Sequence, residues 1–255
     1  MWFAITREIS GAFQDCQLTH LPRVAIDLER ARAQHDAYEW ALVELGCTVR
    51  RVDSGAEMPD SVFVEDAAVV FREGAVIARP GAEARRAETK AVAEALARFG
   101  LSHRDIQEPG TLDGGDVLVV GRDVFVGASN RTNAAGIAQL RHIVTRLGYR
   151  VHPVPVQDCL HLKSAVTPVA PKTLLVNRNW VAADAFGNLR LIDVDEDEPH
   201  AANALLVGDV VMCAAAFPKT RARLERHGLR VKLVDVDELA KAEGGVTCCS
   251  LLFES

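Results

Sequence analysis

Three stretches of the chain share one arrangement of apolar and polar positions. AAVVFREGAVIARP (from Ala67), DVLVVGRDVFVGA (from Asp116) and ANALLVGDVVMCAA (from Ala202) each run apolar, break at a polar turn containing glycine, and run apolar again. Runs this short, rich in Val, Ile and Phe, read as buried strands paired in a hairpin. A helical pattern follows each one. Val92, Leu96 and Phe99 share one face of a helix expected over residues 83–99. Ile137, Leu140, Ile143, Val144 and Leu147 recur at three- and four-residue steps up to the natural stop at Gly148, and FPKTRARLERHGL has the same plan. Beyond the second and third helices, YRVHPVPV and residues 230–236 read as strands. A more degenerate copy starts at Thr173 (TLLVNRNWVAA), and a fifth is split between VTCCSLLF near the C-terminus and WFAITREI near the N-terminus. A further helix is expected over residues 27–45. Hairpin–helix–strand units occur in many mixed α/β proteins, so the pattern leaves two readings open: an ordinary α/β domain, or a closed array of similar modules. Closure through the two termini would leave no open sheet edge and would carry the C-terminal strand to the central axis.

The 255 residues, 49% apolar and 25% charged, are enough for one sizeable core. A net charge of −6 argues against nucleic acid as a partner and is compatible with a cationic ligand. MWFAITREIS lacks the basic leader and long apolar run of a secretory signal, and charges interrupt every run before the roughly 18 residues of a membrane span. The expected location is the cytoplasm, where thiols stay reduced. Cys16, Cys47, Cys159, Cys213, Cys248 and Cys249 show no C-x-x-C spacing, so no metal site is expected.

Several residues could carry chemistry, each with a plainer alternative. Cys248 and Cys249 follow Gly244 and Gly245. Alternation along a strand would send their sulfurs to opposite faces, one to a site and one to the core, although most free cysteines are simply buried small residues. His161, in the strand-like CLHLKSAVT, is an acid/base partner for a cysteine or a hydrogen-bonded core residue. In TLDGGDVLVV, Asp113 and Asp116 could orient a histidine or cap a hairpin. Asp60, Glu65 and Asp66 flank VFV, where burial would require cationic partners such as a guanidinium; a solvated loop is the alternative. Arg85 and Arg131 could each hold a carboxylate through paired hydrogen bonds, or be surface charges. Residues 11–25 have no period and, read alone, form a connecting loop.

Taken together, PDSVFVED, RPGAEARRAET, LDGGDVL with RTNAAG, HLK and GGVTCCS occur in an order and spacing that resembles the dimethylarginine dimethylaminohydrolases, within the guanidine-modifying superfamily. The resemblance runs from about Asp27 to the C-terminus. It implies a five-bladed α/β propeller of ββαβ modules forming one catalytic domain over residues 1–255. It implies a triad of Cys248, His161 and Asp113, the guanidinium held by Asp60 and Asp66 with Glu65 nearby, and the substrate carboxylate held by Arg85 and Arg131. It makes residues 11–25 a lid that contributes Leu18, the part of the motif set that matches least well. The family pattern T-C-x-S places the nucleophile at Cys248.

The implied reaction hydrolyses a methylated arginine to citrulline through a covalent thiouronium, without cofactor, membrane or nucleic-acid partner, and leaves a homodimer open. Carboxylates raise a thiol's pKa and a bound cation lowers it, so the thiol is expected to be neutral in the empty site and to ionise when substrate arrives. An arginine deiminase or an amidinotransferase could use the same scaffold, as could a non-catalytic binding homologue. The chain has no room for the inserted helical domain of the longer deiminases.

Overall fold

The computed structural model describes residues 1–52 and 55–254. Each apolar–turn–apolar stretch folds as an antiparallel hairpin, because a two-residue connection leaves the second run no geometry except to pair back along the first. β3 (Ala68–Phe71) pairs with β4 (Gly74–Ile77), and β5 (His103–Asp105) returns parallel to β4 after the helix α2 (Thr89–Arg98). The next module repeats this plan with β6 (Val117–Val120), β7 (Asp123–Ala128), α3 (Ala134–Thr145) and β8 (Arg150–Pro155). The third has β9 (Val166–Ala170), β10 (Thr173–Val176) and β11 (Arg190–Asp193), with only a 3-10 turn at Ala183–Phe186 in place of the helix. The fourth has β12 (Ala204–Val207), β13 (Val210–Ala214), α5 (Pro218–Arg226) and β14 (Arg230–Val234). Two one-turn helices, α4 (Leu162–Ala165) and α6 (Asp237–Ala240), lie between modules.

The fifth module joins the two ends of the chain. β15 (Leu251–Glu254) pairs antiparallel with β1 (Trp2–Thr6) in the register Trp2↔Glu254, and α1 (Leu28–Glu44) crosses to β2 (Cys47–Arg51), parallel to β1. Five three-stranded sheets result, and five apolar clusters lie where neighbouring modules meet. Val69, Phe71 and Val76 pack on Val117, Val126 and Leu140; Leu118 and Phe125 on Leu174 and Val176; Leu175 and Ile192 on Val211 and Cys213; Met212 and Val234 on Ala4 and Cys47; and Ile5 and Phe253 on Ala75 and Leu96. The last two close the ring. This is the five-bladed α/β array. Among the described residues no helix is long and apolar enough to cross a membrane.

Three local expectations change. The helix expected over residues 83–99 is broken into a 3-10 turn at Glu83–Glu88 and α2, because Arg85 turns inward to buried acceptors. His161 does not lie within a strand: it is extended (φ −135°, ψ 161°) and caps the one-turn α4. Cys248 and Cys249 occupy a turn before β15, closed by the Cys248 N–H on the Gly245 carbonyl at 3.2 Å. The sulfurs still diverge, but a turn rather than strand alternation separates them.

The turns that open the hairpins converge at the axis. The 3-10 turn Gly114–Asp116 crosses Val64–Ala67 so closely that a β-carbon on Gly114 would lie 2.0 Å from the Glu65 carbonyl oxygen and 2.8 Å from that of Ala68. Neither obstacle is a movable side-chain end. Gly114→Ala is expected to lower stability by about 1–3 kcal/mol, measured as a shift in the urea midpoint; an unchanged midpoint contradicts this packing.

Candidate active site

At the axis, loops from several modules line one small cavity. Turn closure before β15 brings Cys248 to its wall, the extended residue before α4 brings His161, and the Val64–Ala67 turn brings Asp66. Asp60, Arg85 and Arg131 line it as well. Asp113 stands behind His161, fully buried, and its Oδ2 is 3.0 Å from His161 Nε2. Its Oδ1 accepts from the Gly81 N–H at 2.8 Å, so the carboxylate is fixed at both ends. With Nε2 engaged, Nδ1 is the ring nitrogen left for chemistry. It lies 3.7 Å from Asp66 Oδ1, and a β-carbon on Gly115 would stand 2.7 Å from both atoms. Glycine at 115 is what lets the backbone pass beneath this pair.

The acidic residues form one buried network. Asp66 accepts from the Gly115 N–H at 3.0 Å and from Arg85 Nη1 at 2.5 Å. Arg85, 5% exposed, also bonds Glu88 and the carbonyls of Asp60 and Phe63. Its planar fork is thus fully used on protein acceptors. Asp60 accepts from the Gln17 N–H at 3.1 and 3.2 Å. Glu65 is held by Lys163 Nζ at 2.6 Å and Thr247 Oγ1 at 2.7 Å. Arg131 is the freer cation, its guanidinium meeting Gln17 Oε1 at 3.4 Å and Thr19 Oγ1 at 3.1 Å. Leu18 lies in the loop over the site, but its side chain packs half-buried against the apolar cluster around Phe63 and Val246; its neighbour Gln17 is the residue that faces the cavity.

This environment sets the protonation states. Burial works against a charged His161 ring, but Asp66, the Asp113 hydrogen bond and Asp116 outweigh it and raise the ring to about 9. Burial likewise opposes the Asp66 charge, but His161 and Arg85 hold that carboxyl down to about 2. Burial, then Glu65 and Asp66, push the Cys248 thiol up to about 12, against the Gly245 N–H that points at its sulfur at 3.3 Å. Asp60 is raised, mainly by burial. The resting pair is therefore a neutral thiol beside an imidazolium. A surplus of buried carboxylates surrounds it, a setting suited to a planar cation. Asp66, Asp113 and His161 have ligand atoms within 4.8 Å of one another, the spacing a metal ion could use, but Arg85 and the amides of Gly81 and Gly115 already occupy the carboxylate oxygens.

Four contributors are not among the residues assigned to the site, although Asp116, like Asp113, reads as a carboxylate that could orient a histidine. Asp116 anchors the His161 segment: it accepts from the Leu162 N–H at 2.9 Å, Ser129 Oγ at 2.6 Å and Thr132 Oγ1 at 2.7 Å, and burial lifts it to about 6. Lys163, in HLK, neutralises Glu65. Gln17 and Glu243 wall the cavity. Of these only Asp116 and Lys163 sat in motifs that pointed to the site; Gln17 and Glu243 had no local signal. Cys249 is buried in the core cluster, away from the cavity.

Comparison with known proteins points to one family. A family model described as N,N dimethylarginine dimethylhydrolase, eukaryotic, matches residues 14–253. The N(G),N(G)-dimethylarginine dimethylaminohydrolase of Streptomyces coelicolor is 45% identical over 97% of this chain and 95% of its own. A cysteine-to-serine variant of DDAH from Pseudomonas aeruginosa complexed with citrulline superposes with a TM-score of 0.93, at 34% identity over 98% of both chains. A dimethylarginine dimethylaminohydrolase with histidine replaced by glycine, an adduct with S-methyl-L-thiocitrulline, superposes with a TM-score of 0.92, at 35% identity over 98% of this chain and 99% of its own.

Ultraviolet thiolate absorbance of the ligand-free protein should show Cys248 protonated at neutral pH, with ionisation induced by a guanidinium ligand. A rate that needs the imidazolium should fall as pH rises through about 9, where His161 loses its proton. A fully ionised Cys248 in the empty protein at neutral pH would refute this assignment.

Proposed function

Since the chain belongs to the dimethylarginine dimethylaminohydrolase family, we infer that it hydrolyses Nω,Nω-dimethyl-L-arginine to L-citrulline and dimethylamine, and the monomethyl compound to citrulline and methylamine. The observation that carries this reading is the meeting of Cys248, the His161–Asp113 pair and Asp66 on one buried, acid-rich cavity. We place the reaction in the cytoplasm, consistent with six free cysteines.

Binding starts with charge. The substrate guanidinium is the partner that the surplus of carboxylates favours, and Asp60 and Asp66 orient its plane. Arg85 now fills the Asp66 side of the cavity, so the substrate cation takes its place there. Arg85 is then freed to join Arg131 on the substrate carboxylate. This exchange trades one guanidinium for another on Asp66.

A guanidinium carbon is a weak electrophile because its charge is spread over three nitrogens. Orientation over the sulfur compensates for that. The arriving cation lowers the thiol's pKa, the proton leaves to solvent, and the thiolate attacks the central carbon. His161 Nδ1 then gives its proton to the departing dimethylamine as the carbon–nitrogen bond breaks, which leaves a thiouronium on Cys248. The neutral ring takes a proton from water, the hydroxide equivalent adds to the same carbon, and the carbon–sulfur bond breaks to release the thiolate while the added hydroxyl gives its proton to solvent, leaving citrulline. Asp113 on Nε2 holds the ring orientation and stabilises its charged form throughout.

A deiminase or amidinotransferase on this scaffold would show itself by its products: ammonia from plain arginine, or transfer to an added amine. Cys248→Ser should abolish citrulline formation, read by a colour assay, with an unchanged melting temperature; retained turnover would move the nucleophile elsewhere. Arg131→Ala should raise KM for dimethylarginine about 10–100-fold with a smaller effect on kcat, the loss of a charge-assisted contact. Agmatine, lacking the carboxylate, should be a poor substrate of the parent, and turnover of agmatine as efficient as that of dimethylarginine would remove Arg131 from carboxylate binding.

A further inference from the structure

The loop over the site has an anchor that the reaction does not account for. Three consecutive backbone N–H groups, those of Thr19, His20 and Leu21, point at one oxygen, Oε1 of Glu243, at 2.9, 2.5 and 2.7 Å. Successive amides converging on a point make a concave anion seat, and here a side chain from the far end of the chain fills it. Glu243 adopts φ +58°, in the left-handed region that strains an L side chain. Its other oxygen, Oε2, is buried without a hydrogen-bond partner among the described residues, an arrangement that folding disfavours. Both features are costs, which the three amide bonds to Oε1 offset.

The position of Glu243 ties this contact to the chemistry. It precedes Gly244 and Gly245, which lead directly into the turn of the nucleophile, where the Gly245 N–H donates to Cys248 Sγ. It walls the catalytic cavity and also a second cavity of about 350 Å³ bounded by His20, Leu21, Leu160 and Phe217. The catalytic cavity itself has a free volume of about 20 Å³, far too small for an amino acid to pass with the loop in place. The loop's other polar contacts with groups lining the site are Asp60 on the Gln17 N–H and Arg131 on Gln17 and Thr19. These are the groups assigned above to the substrate. When substrate claims them, Glu243 is the polar contact that still holds residues 19–21, while the buried Phe13 and Cys16 and Lys241 Nζ on the Ala25 carbonyl hold the loop's two ends.

We propose that Glu243 is a positioning residue for the reaction: its carboxylate latches the loop at residues 19–21 closed over the bound substrate, and its release opens the catalytic cavity toward the larger one. Glu243 touches no reacting atom and acts through the loop. The kinetic consequence rests on the hydrolase reading, whereas the latch is a contact that can be tested without turnover.

Arg23 lies exposed just beyond the latched amides and is followed by Val24, which makes it a trypsin site that reports on the loop. In the ligand-free full-length chain, Glu243→Ala should speed cleavage after Arg23, followed by mass spectrometry, about tenfold, with an unchanged melting temperature. It should also raise KM for dimethylarginine by a similar factor, about tenfold, while kcat changes less. Glu243→Gln keeps the shape and one acceptor oxygen but not the charge, and should speed cleavage about threefold; it carries the test should the alanine variant not fold. Cleavage at the parental rate in a folded variant overturns the latch. Faster cleavage with parental KM overturns its role in the reaction. Absence of citrulline from the parent itself would instead count against the hydrolase reading and leave the cleavage result to decide the latch.

Discussion

The pairing of β15 with β1 is the constraint on which the rest depends. A strand of four residues at one end of the chain completes a sheet begun by five residues at the other. That pairing turns a row of similar modules into a ring, and in a ring every module's loop ends face one axis. It also places the turn before β15, with Cys248, opposite His161, although 87 positions separate them in the chain (248 − 161). An open row would have left the sulfur at one end and the imidazole in the middle. The apolar cluster of Ile5 and Phe253 with Ala75 and Leu96 is therefore both a core contact and the condition for having a site.

Convergence on the axis creates an electrostatic problem that the site turns to use. Several carboxylates are buried together, and each would be costly alone. Arg85 pairs with Asp66 and Glu88, Lys163 with Glu65, and His161 with Asp113 and Asp66. The pairing stabilises the empty protein while keeping a surplus of negative charge. That surplus holds the histidine protonated and the thiol neutral, so the nucleophile is quiet until a cation enters. Arg85 bonds Asp66, one of the two carboxylates proposed above to orient the substrate guanidinium.

The loop at residues 11–25 shows the same economy. Phe13 and Cys16 are fully buried and root it in the core, while Gln17 and the amides beyond it rest on Asp60, Arg131 and Glu243. One end of the loop is fixed by apolar packing and the other by polar contacts, of which those to Asp60 and Arg131 are the ones proposed above to pass to a ligand. Apolar packing survives changes of charge in the site; the polar contacts do not.

By itself the sequence determined the modules. The hairpins at Ala67, Asp116 and Ala202 were legible because an apolar run, a glycine turn and a second apolar run are local facts, and so were the helical faces of Leu96 and Leu140. The order of the motifs carried the family resemblance, and with it the residues expected in the site. What only the tertiary structure decided is where those side chains point and what they touch. Arg85 on Asp66, Asp116 beneath His161, Leu18 turned to the core and Glu243 on the loop all join residues far apart in sequence. The breaks at Glu83–Glu88, His161 and Cys248 belong to the same class, because each goes with polar contacts that apolar periodicity does not record: Arg85 on Asp66, the Leu162 N–H on Asp116, and the Glu65 N–H on the Cys248 carbonyl. Periodicity records which face of an element is apolar. It holds no record of which polar groups will meet when five such elements close into a ring.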